Sequence, residues 1–346
     1  MRILVTGVSG AIGSEISDRL LEQGHEVLGL TRDPGCARAG GRVVPAVRLL
    51  RGDVVEDQGL RRALRGVEVA YYLIHSMEPQ SGAGWRAREL IGARNFGEAA
   101  TRAGVGRLVY LGGLLPGAGD RQDSAGLSPH LASRLEVERT LLAAVPGSVA
   151  LRASIVIGAR SRSFRLLVRL VERMPVLLVP AWRAYRTTPV DQRDLSACLV
   201  RAADASVLTG RSVDVAGPEV VSYGELIERV RNALLVDRPV LNLPGSHLPD
   251  WSLAGVSLAG LGLPSLSVPS LRLPRLSLAP LASRVAAILA GEHHALIGPL
   301  MEGLTADLLP RAPLATELLD LPRHSLDAAI EHAIGEWEHV EPLRAR

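Results

Sequence analysis

The run Arg2–Thr6 is apolar apart from its ends and leads straight into a loop with glycines at 7, 10 and 13, Thr6-Gly-Val-Ser-Gly-Ala-Ile-Gly13. Ile12, Ile16, Leu20 and Leu21 then recur at helical spacing as far as Gly24, and HEVLGLTR resumes as a second buried strand. A strand, a glycine loop, a helix and a further strand in that order make a βαβ crossover, which fixes the two strands as parallel neighbours. The alternation continues through Arg48–Asp53 (strand), Gln58–Leu64 (helix), Val67–Ile74 (strand), Trp85–Ala103 (helix), Arg107–Gly112 (strand), His130–Ala144 (helix) and Val149–Ile157 (strand). Strands alternating with helices predict an α/β fold with a parallel sheet covered on both faces. Residues 1–160 are therefore expected to form a doubly wound, Rossmann-type domain.

The pattern loosens beyond Gly158. Phe164–Arg173 reads as a helix, Tyr185–Pro189 as a short strand, Gln192–Ala202 as a helix and Ser212–Ala216 as a strand. Ser222 is placed to N-cap a helix reaching Leu234, with Glu225 as the return arm of a capping box. Residues 161–346 are expected to be a mixed region that completes the sheet and forms a smaller substrate-binding lid. Within it, 241–281 is rich in Leu, Pro and Ser, and a pentad runs LPSLS, VPSLR, LPRLS. Proline at that density forbids a helix and disfavours a central strand. Such an insertion is either a flexible low-complexity segment or an apolar flap.

The glycine loop has the order that a dinucleotide pyrophosphate needs. Gly7 allows the turn off the strand, Gly10 leaves the backbone open to the phosphates, and Gly13 lets helix and strand approach. The amides of Ser9 through Gly13, Ala11 and Ile12 among them, then face the phosphates at the helix N-terminus. An NAD-selective site would carry Asp or Glu at the end of the second strand. Thr31-Arg32 stands there instead, and both side chains can hold a 2′-phosphate, so NADP(H) is expected. Asp53, in Gly52-Asp53-Val54, is positioned either to accept from the adenine amino group or to shape a turn.

Composition excludes several chemistries. All 39 residues in the combined Lys and Arg count are arginine, so no Schiff-base, phosphate-loop or general-base lysine exists. The net charge is +3 without a basic stripe, which argues against a nucleic-acid partner. Two distant cysteines, Cys36 and Cys198, read as a disulfide-free cytoplasmic protein. Met1-Arg2 leaves no room for a signal peptide, and no apolar stretch is long enough for a membrane helix. Gly7-Val-Ser-Gly-Ala11 is not a nucleophile elbow, and His293-His294 lacks zinc-site spacing.

TGxxGxxG, then GDV, NFGEAA (95–100) and VYLGG (109–113), resembles the short-chain dehydrogenase/reductase superfamily. LRASIVIG (151–158), PVDQRDLS (189–196) and VDVAGPEVVSYGELIERV (213–230) are similar to its extended branch. AYYLIHSM (70–77) and SPHLASRLEVE (128–138) resemble an atypical, NmrA-like subgroup. The resemblance implies that Val54, Leu73 and Ile74 border the dinucleotide and that Ser154 and Ile155 lie beside the nicotinamide. It also implies a Ser, a Tyr and a Lys, with the tyrosyl hydroxyl protonating the substrate oxygen as hydride arrives. Here Gly112-Gly113 occupies the serine position, and Tyr-x-x-x-Lys is replaced by His130-Leu-Ala-Ser-Arg134.

His130 is then one candidate acid, His75 another, and Arg134 takes the place of the ribose-binding lysine. A third proton source is the substrate itself, where a phenol beside the ketone stabilises the alkoxide. Atypical reductases of that build belong to aromatic polyketide pathways, angucyclinone ketoreductases among them. The resemblance thus implies an NADPH-dependent ketoreductase of a polycyclic aromatic substrate, and since the outer faces of Trp85–Ala103 and His130–Ala144 carry Arg and Glu rather than an apolar stripe, a monomer is expected. A non-catalytic NmrA-like regulator and an epimerase or isomerase are the alternatives. Trp85, Phe164, Met174 and Trp182 are available either to line an apolar pocket or to fill the core.

Overall fold

The computed structural model describes residues 1–74, 84–116, 127–173, 177–179, 181–235, 240–242, 306–339 and 343. Seven strands form one sheet: β1 (Arg2–Thr6), β2 (Glu26–Thr31), β3 (Arg48–Arg51), β4 (Val69–Tyr72), β5 (Arg107–Gly113), β6 (Val149–Ala153) and, after the two-residue β7 (Val156–Ile157), β8 (Leu177–Val179), β9 (Arg186–Thr187) and β10 (Val190–Asp191), the edge strand β11 (Arg211–Val215). Their spatial order is β11-β6-β5-β4-β1-β2-β3, with every pair parallel. The order reverses between β1 and β4, which opens a crevice at the strand C-termini there.

Successive strand residues point to opposite faces, and both faces are apolar. Ile3, Val5, Tyr71, Val109, Leu151 and Val213 pack on one side against α1 (Ala11–Glu22) and, after the intervening helices below, α7 (Gln192–Arg201). Leu4, Leu28, Ala70, Tyr72, Tyr110 and Ala150 pack on the other against α3 (Leu60–Ala63), α4 (Trp85–Ala103) and α5 (Pro129–Ala144). Helix α2 (Pro34–Ala39) follows β2, a short element that begins Pro-Gly and has no apolar periodicity to announce it. Helix α4 has the expected bounds and stops at Gly104, whose φ of +73° suits glycine.

A second apolar cluster belongs to the later part of the chain. Phe164, Val168 and Val171 of α6 (Arg162–Arg173) meet Leu226 and Val230 of α8 (Tyr223–Ala233) and Ile330, Ile334 and Trp337 of the C-terminal helix α10 (Leu326–Glu338). Short α9 (Ala315–Leu318) covers part of β11 and α7. Strand β12 (Val221–Ser222) pairs antiparallel with β9, and β13 (Val240–Asn242) pairs parallel with β8. Of the Leu/Pro-rich segment 241–281, all but the first two residues lie outside the described residues, as does Met174.

Two expectations need correction. The single strand Val149–Ile157 is interrupted at Ser154-Ile155, where the chain leaves the main sheet so that β7 can pair with β10. The Ser222 capping box is half formed. Ser222 Oγ accepts from the Glu225 amide at 3.1 Å, while the Glu225 carboxylate turns to Arg229 at 3.2 Å.

Candidate dinucleotide and substrate site

The loop between β1 and α1 is shaped by its glycines. Gly7 has φ +67°, and a Cβ there would lie 2.9 Å from the Leu73 carbonyl oxygen. A Cβ on Gly13 would come within 2.2 Å of the Gly7 carbonyl oxygen, an overlap with backbone that cannot swing aside. On Gly10 it would meet only that same oxygen, at 3.1 Å, so its absence keeps the approach to the helix N-terminus open. The Gly10 amide donates back to Gly7 at 2.9 Å, and the first helical bond is Ser14 N–H to Gly10 at 3.0 Å. The amides of Ala11, Ile12 and Gly13 therefore have no acceptor within the helix. No side chain caps this end and no acidic residue stands in its first turn, so its partial positive charge is left for an anion. A buried Thr6 completes the cradle, its Oγ1 accepting from Leu73 N–H at 3.0 Å and tying β1 to the turn after β4. These features fit a dinucleotide pyrophosphate.

At the adenosine end, Arg32 is exposed at the C-terminus of β2. Its acidic neighbour Asp33 is occupied elsewhere, N-capping α2 by accepting from Cys36 N–H at 3.0 Å. The Thr31 hydroxyl contacts the Asp33 backbone at 3.3 and 3.4 Å. Asp53 shapes a turn, its Oδ1 accepting from Val55 and Glu56 amides at 2.8 and 3.3 Å. Asn95 on α4 holds that turn by donating to the Val54 and Val55 carbonyls at 2.8 and 3.0 Å. Asn95 is not legible as a site residue, because its partners are 40 and 41 positions earlier. Val54 is buried beneath Gly92, where a Cβ would press on it at 2.9 Å.

The other end of the crevice lies over β4, β5 and β6. Leu73 and Ile74 are half-buried past the end of β4, and His75 lies outside the described residues. Gly112 and Gly113 end β5. A Cβ on Gly113 would rest at 3.7 Å from Leu131 and 3.8 Å from Arg134, so a side chain fits here but none is present. His130 and Arg134 stand one helical turn apart at the start of α5, with Arg134 Nε donating to His130 Nε2 at 3.3 Å. Arg134 also donates to the Leu111 carbonyl at 3.4 Å, so its guanidinium sits against the end of β5 where the resemblance places a lysine. Trp85 lies beside His130 with ring centroids 6.0 Å apart.

Burial, then the Arg134 charge, pushes the His130 pKa down to about 4. Its ring is therefore neutral near pH 7, and the imidazolium that a general acid would use is missing. Phe164 is fully buried in the C-terminal cluster.

Ser154 and Ile155 form the break between β6 and β7. The Ile155 carbonyl accepts from Val190 N–H at 2.9 Å. Ser154 Oγ meets Thr187 Oγ1 at 2.6 Å. Behind this end, Glu138 of α5 accepts two bonds from Arg152 of β6, at 2.9 and 2.6 Å, and one from Ser212 Oγ at 2.6 Å. A cavity of about 480 Å³ flanks this pair beside edge strand β11. Glu138 and Arg152 in its lining neutralise each other. Among the described residues no group of three or more His, Cys, Asp or Glu side chains is placed to hold a metal, and no helix is long and apolar enough to cross a membrane.

Comparison with known proteins agrees with this geometry. A sequence model of the NAD dependent epimerase/dehydratase family matches residues 3–216, well over half of the chain. A 2-alkyl-3-oxoalkanoate reductase of Stenotrophomonas maltophilia is 29% identical over 193 residues, covering 50% of this chain and 56% of that protein. A 3-beta-hydroxysteroid dehydrogenase of Mycolicibacterium neoaurum is 31% identical over 117 residues, covering 32% and 31%. The matched stretch thus spans about half of the first relative's length and about a third of the second's. Among solved structures, UDP-glucuronic acid 4-epimerase from Bacillus cereus, in complex with UDP-glucuronic acid and NAD, superposes with a TM-score of 0.68 at 17% identity over 99% of this chain and 100% of that one. UDP-glucose 4-epimerase from Thermotoga maritima superposes at 0.67 and 14% identity, over 98% and 99%. At those identities the superpositions speak for the fold alone.

Proposed function

This chain belongs to the NAD dependent epimerase/dehydratase family, and we propose that it is an NADPH-dependent ketoreductase of a bulky polycyclic aromatic ketone, of the angucyclinone type made in polyketide antibiotic assembly. The observation that carries the reading is an intact dinucleotide cradle joined to a site stripped of its acid pair. Gly13 cannot be anything larger, whereas Gly113, where a Cβ would meet only ordinary contacts, carries no side chain. When bound, the reduced nicotinamide supplies the hydride. Arg134 takes the lysine's place near the nicotinamide ribose, and His130 with Trp85 borders the substrate. A substrate with a phenol beside its ketone lowers the demand on the protein for a strong acid.

Arg32 supports NADPH over NADH, since a guanidinium pairs with a 2′-phosphate and its neighbour Asp33 is committed to a helix cap. The two named relatives act, by their names, on an oxoalkanoate and on a hydroxysteroid, and this supports a lipophilic ketone or alcohol as substrate. Epimerisation is less well supported, because His130 is held neutral and no lysine exists to shuttle a proton. We take the working unit to be a cytoplasmic monomer whose partner is the small molecule.

The test is direct. The purified chain is mixed with NADPH and a panel of polycyclic hydroxyketones and quinones, and absorbance of the reduced nicotinamide is followed. Substrate-dependent loss of absorbance is expected. Tight NADPH binding without any loss across the panel would instead indicate a regulator of the NmrA kind.

A further inference from the structure

We propose that the cavity beside edge strand β11 is a second ligand site, which takes an organic carboxylate carrying a hydroxyl donor at its far end. The inference is independent of the reductase reading, because no residue lining this cavity belongs to the glycine loop, the adenosine end or the His130–Arg134 corner.

Distant pieces of chain build it. Leu135, Glu138, Arg139 and Leu142 share one face of α5, at the three- and four-residue spacing of a helix. Arg152 comes from β6, and residues 211–214 come from β11 at the edge of the sheet. Residues 311–313 and Leu318 supply the rest of the wall. A backbone amide ties that segment to the sheet: Arg311 N–H donates to Asp214 Oδ2 at 2.8 Å, across 97 positions of sequence. The volume of about 480 Å³ is that of a small-molecule site. Leu115, Leu135, Leu142, Val213 and Leu318 give it apolar surface between the charged groups.

The charges in this lining do not cancel. Arg139, Arg152, Arg211 and Arg311 face two carboxylates, Glu138 and Asp214. Glu138 is saturated by its two bonds from Arg152 and one from Ser212 Oγ. Arg139 and Arg211 are exposed, and the Arg211 guanidinium has no protein partner among the described residues. A guanidinium presents a planar fork of donors that matches a carboxylate. The excess of arginine therefore favours an anion, with Arg211 as its anchor.

Asp214 asks for the opposite group. It is 5% exposed, and its hydrogen bond from the Arg311 amide is made at Oδ2, which leaves Oδ1 without a donor among the described residues. Burial raises its pKa, against the pull of the Arg311 amide and of the Arg152 and Arg311 charges, as befits a carboxylate short of donors. An open acceptor in a buried position is costly, and a hydroxyl brought by a ligand would satisfy it. Arg211 and Asp214 stand three residues apart on β11, about 10 Å of extended strand. A molecule of that length, anionic at one end and hydroxylated at the other, engages both and covers the apolar wall between them. An inorganic anion would meet Arg211 and leave Asp214 and the leucines unserved.

The proposal is tested by titrating the full chain with phloretic acid, which has a carboxylate and a phenol, hydrocinnamic acid, which lacks the phenol, and dihydro-p-coumaryl alcohol, which lacks the carboxylate. Phloretic acid should bind saturably at one site. The alcohol should bind ~10- to 100-fold more weakly, and hydrocinnamic acid ~10-fold more weakly, the scale of hydrogen bonds to charged groups. In Arg211→Ala, a surface change, phloretic acid and the alcohol should bind alike. In Asp214→Asn the advantage of the phenol should shrink to about three-fold, since a neutral acceptor holds it roughly half as strongly. Saturating NADPH, or Gly13→Ala, should leave the affinity for phloretic acid within about two-fold, as separate sites require. Absence of saturable binding by phloretic acid, equal affinity for it and the alcohol in wild type, unchanged binding in Arg211→Ala, or displacement by NADPH each overturns the second site. None of these results bears on the reductase reading, which is decided by NADPH turnover.

Discussion

The pyrophosphate loop after β1 and the junction of β5 with α5 stand two strands apart on one sheet, and they are constrained in opposite ways. In the loop, two glycines are dictated by backbone contact: Gly7 by its φ and Leu73, and Gly13 by a 2.2 Å approach to the Gly7 oxygen. At the junction, Gly113 has room for a side chain, and the neighbouring polar groups serve the fold. Arg152 and Glu138 neutralise each other, and Arg134 holds the end of β5. The difference shows which half of such a site geometry preserves and which half can be rebuilt for another substrate.

The largest effect that would sharpen this contrast comes from the junction's ion pair. Glu138→Ala leaves the Arg152 guanidinium buried without its carboxylate, and should cost about 3–5 kcal/mol of stability in urea denaturation. A loss below about 1 kcal/mol would mean that the pair is not what holds α5 to β6. Next comes Gly13→Ala, which must displace backbone. Affinity for NADPH should fall by at least ~10², with a stability loss of about 1–3 kcal/mol. Gly113→Ala is its control and should leave both within about two-fold and ~0.5 kcal/mol, since its Cβ meets only ordinary contacts. Equal damage from the two glycines would break the comparison.

Arg32→Ala should weaken NADPH binding by about 10- to 100-fold, the value of a charged hydrogen bond to phosphate, and leave NADH nearly unchanged. The smallest effect belongs to His130. Its folded pKa of about 4 lies below the ordinary 6.5, so the unfolded chain binds the proton more readily. Its contribution to stability is complete above about pH 6.5 and is lost as pH falls towards 4. His130→Phe should flatten that part of the stability profile and change turnover at pH 7 by less than about ten-fold. A larger fall in turnover would return His130 to the proton path.

Much of the loop half is legible in the sequence, because buried parallel strands read as apolar runs and Gly7, Gly10 and Gly13 each answer to a local contact. The bounds of α4 follow from helical spacing and Gly104 in the same way. The substrate half is less legible. The break at Ser154, the β9–β12 register and the meeting of Ser154 with Thr187 depend on segments more than thirty residues apart, each too short for a period. The neutrality of His130 depends on burial and on Arg134, which spacing alone does not reveal. Helix α2 escapes notice because Pro34-Gly35 opens it and only Ala37 is buried.

The central claim is that a site with an intact dinucleotide cradle and no tyrosine–lysine pair still performs reduction. It is tested most directly by incubating the chain with NADPH deuterated at C4 and a polycyclic hydroxyketone, then weighing the product. The account predicts one deuterium at the new carbinol carbon from one face of the nicotinamide, with none transferred by Gly13→Ala. Saturable NADPH binding with no deuterium in any ketone would contradict it.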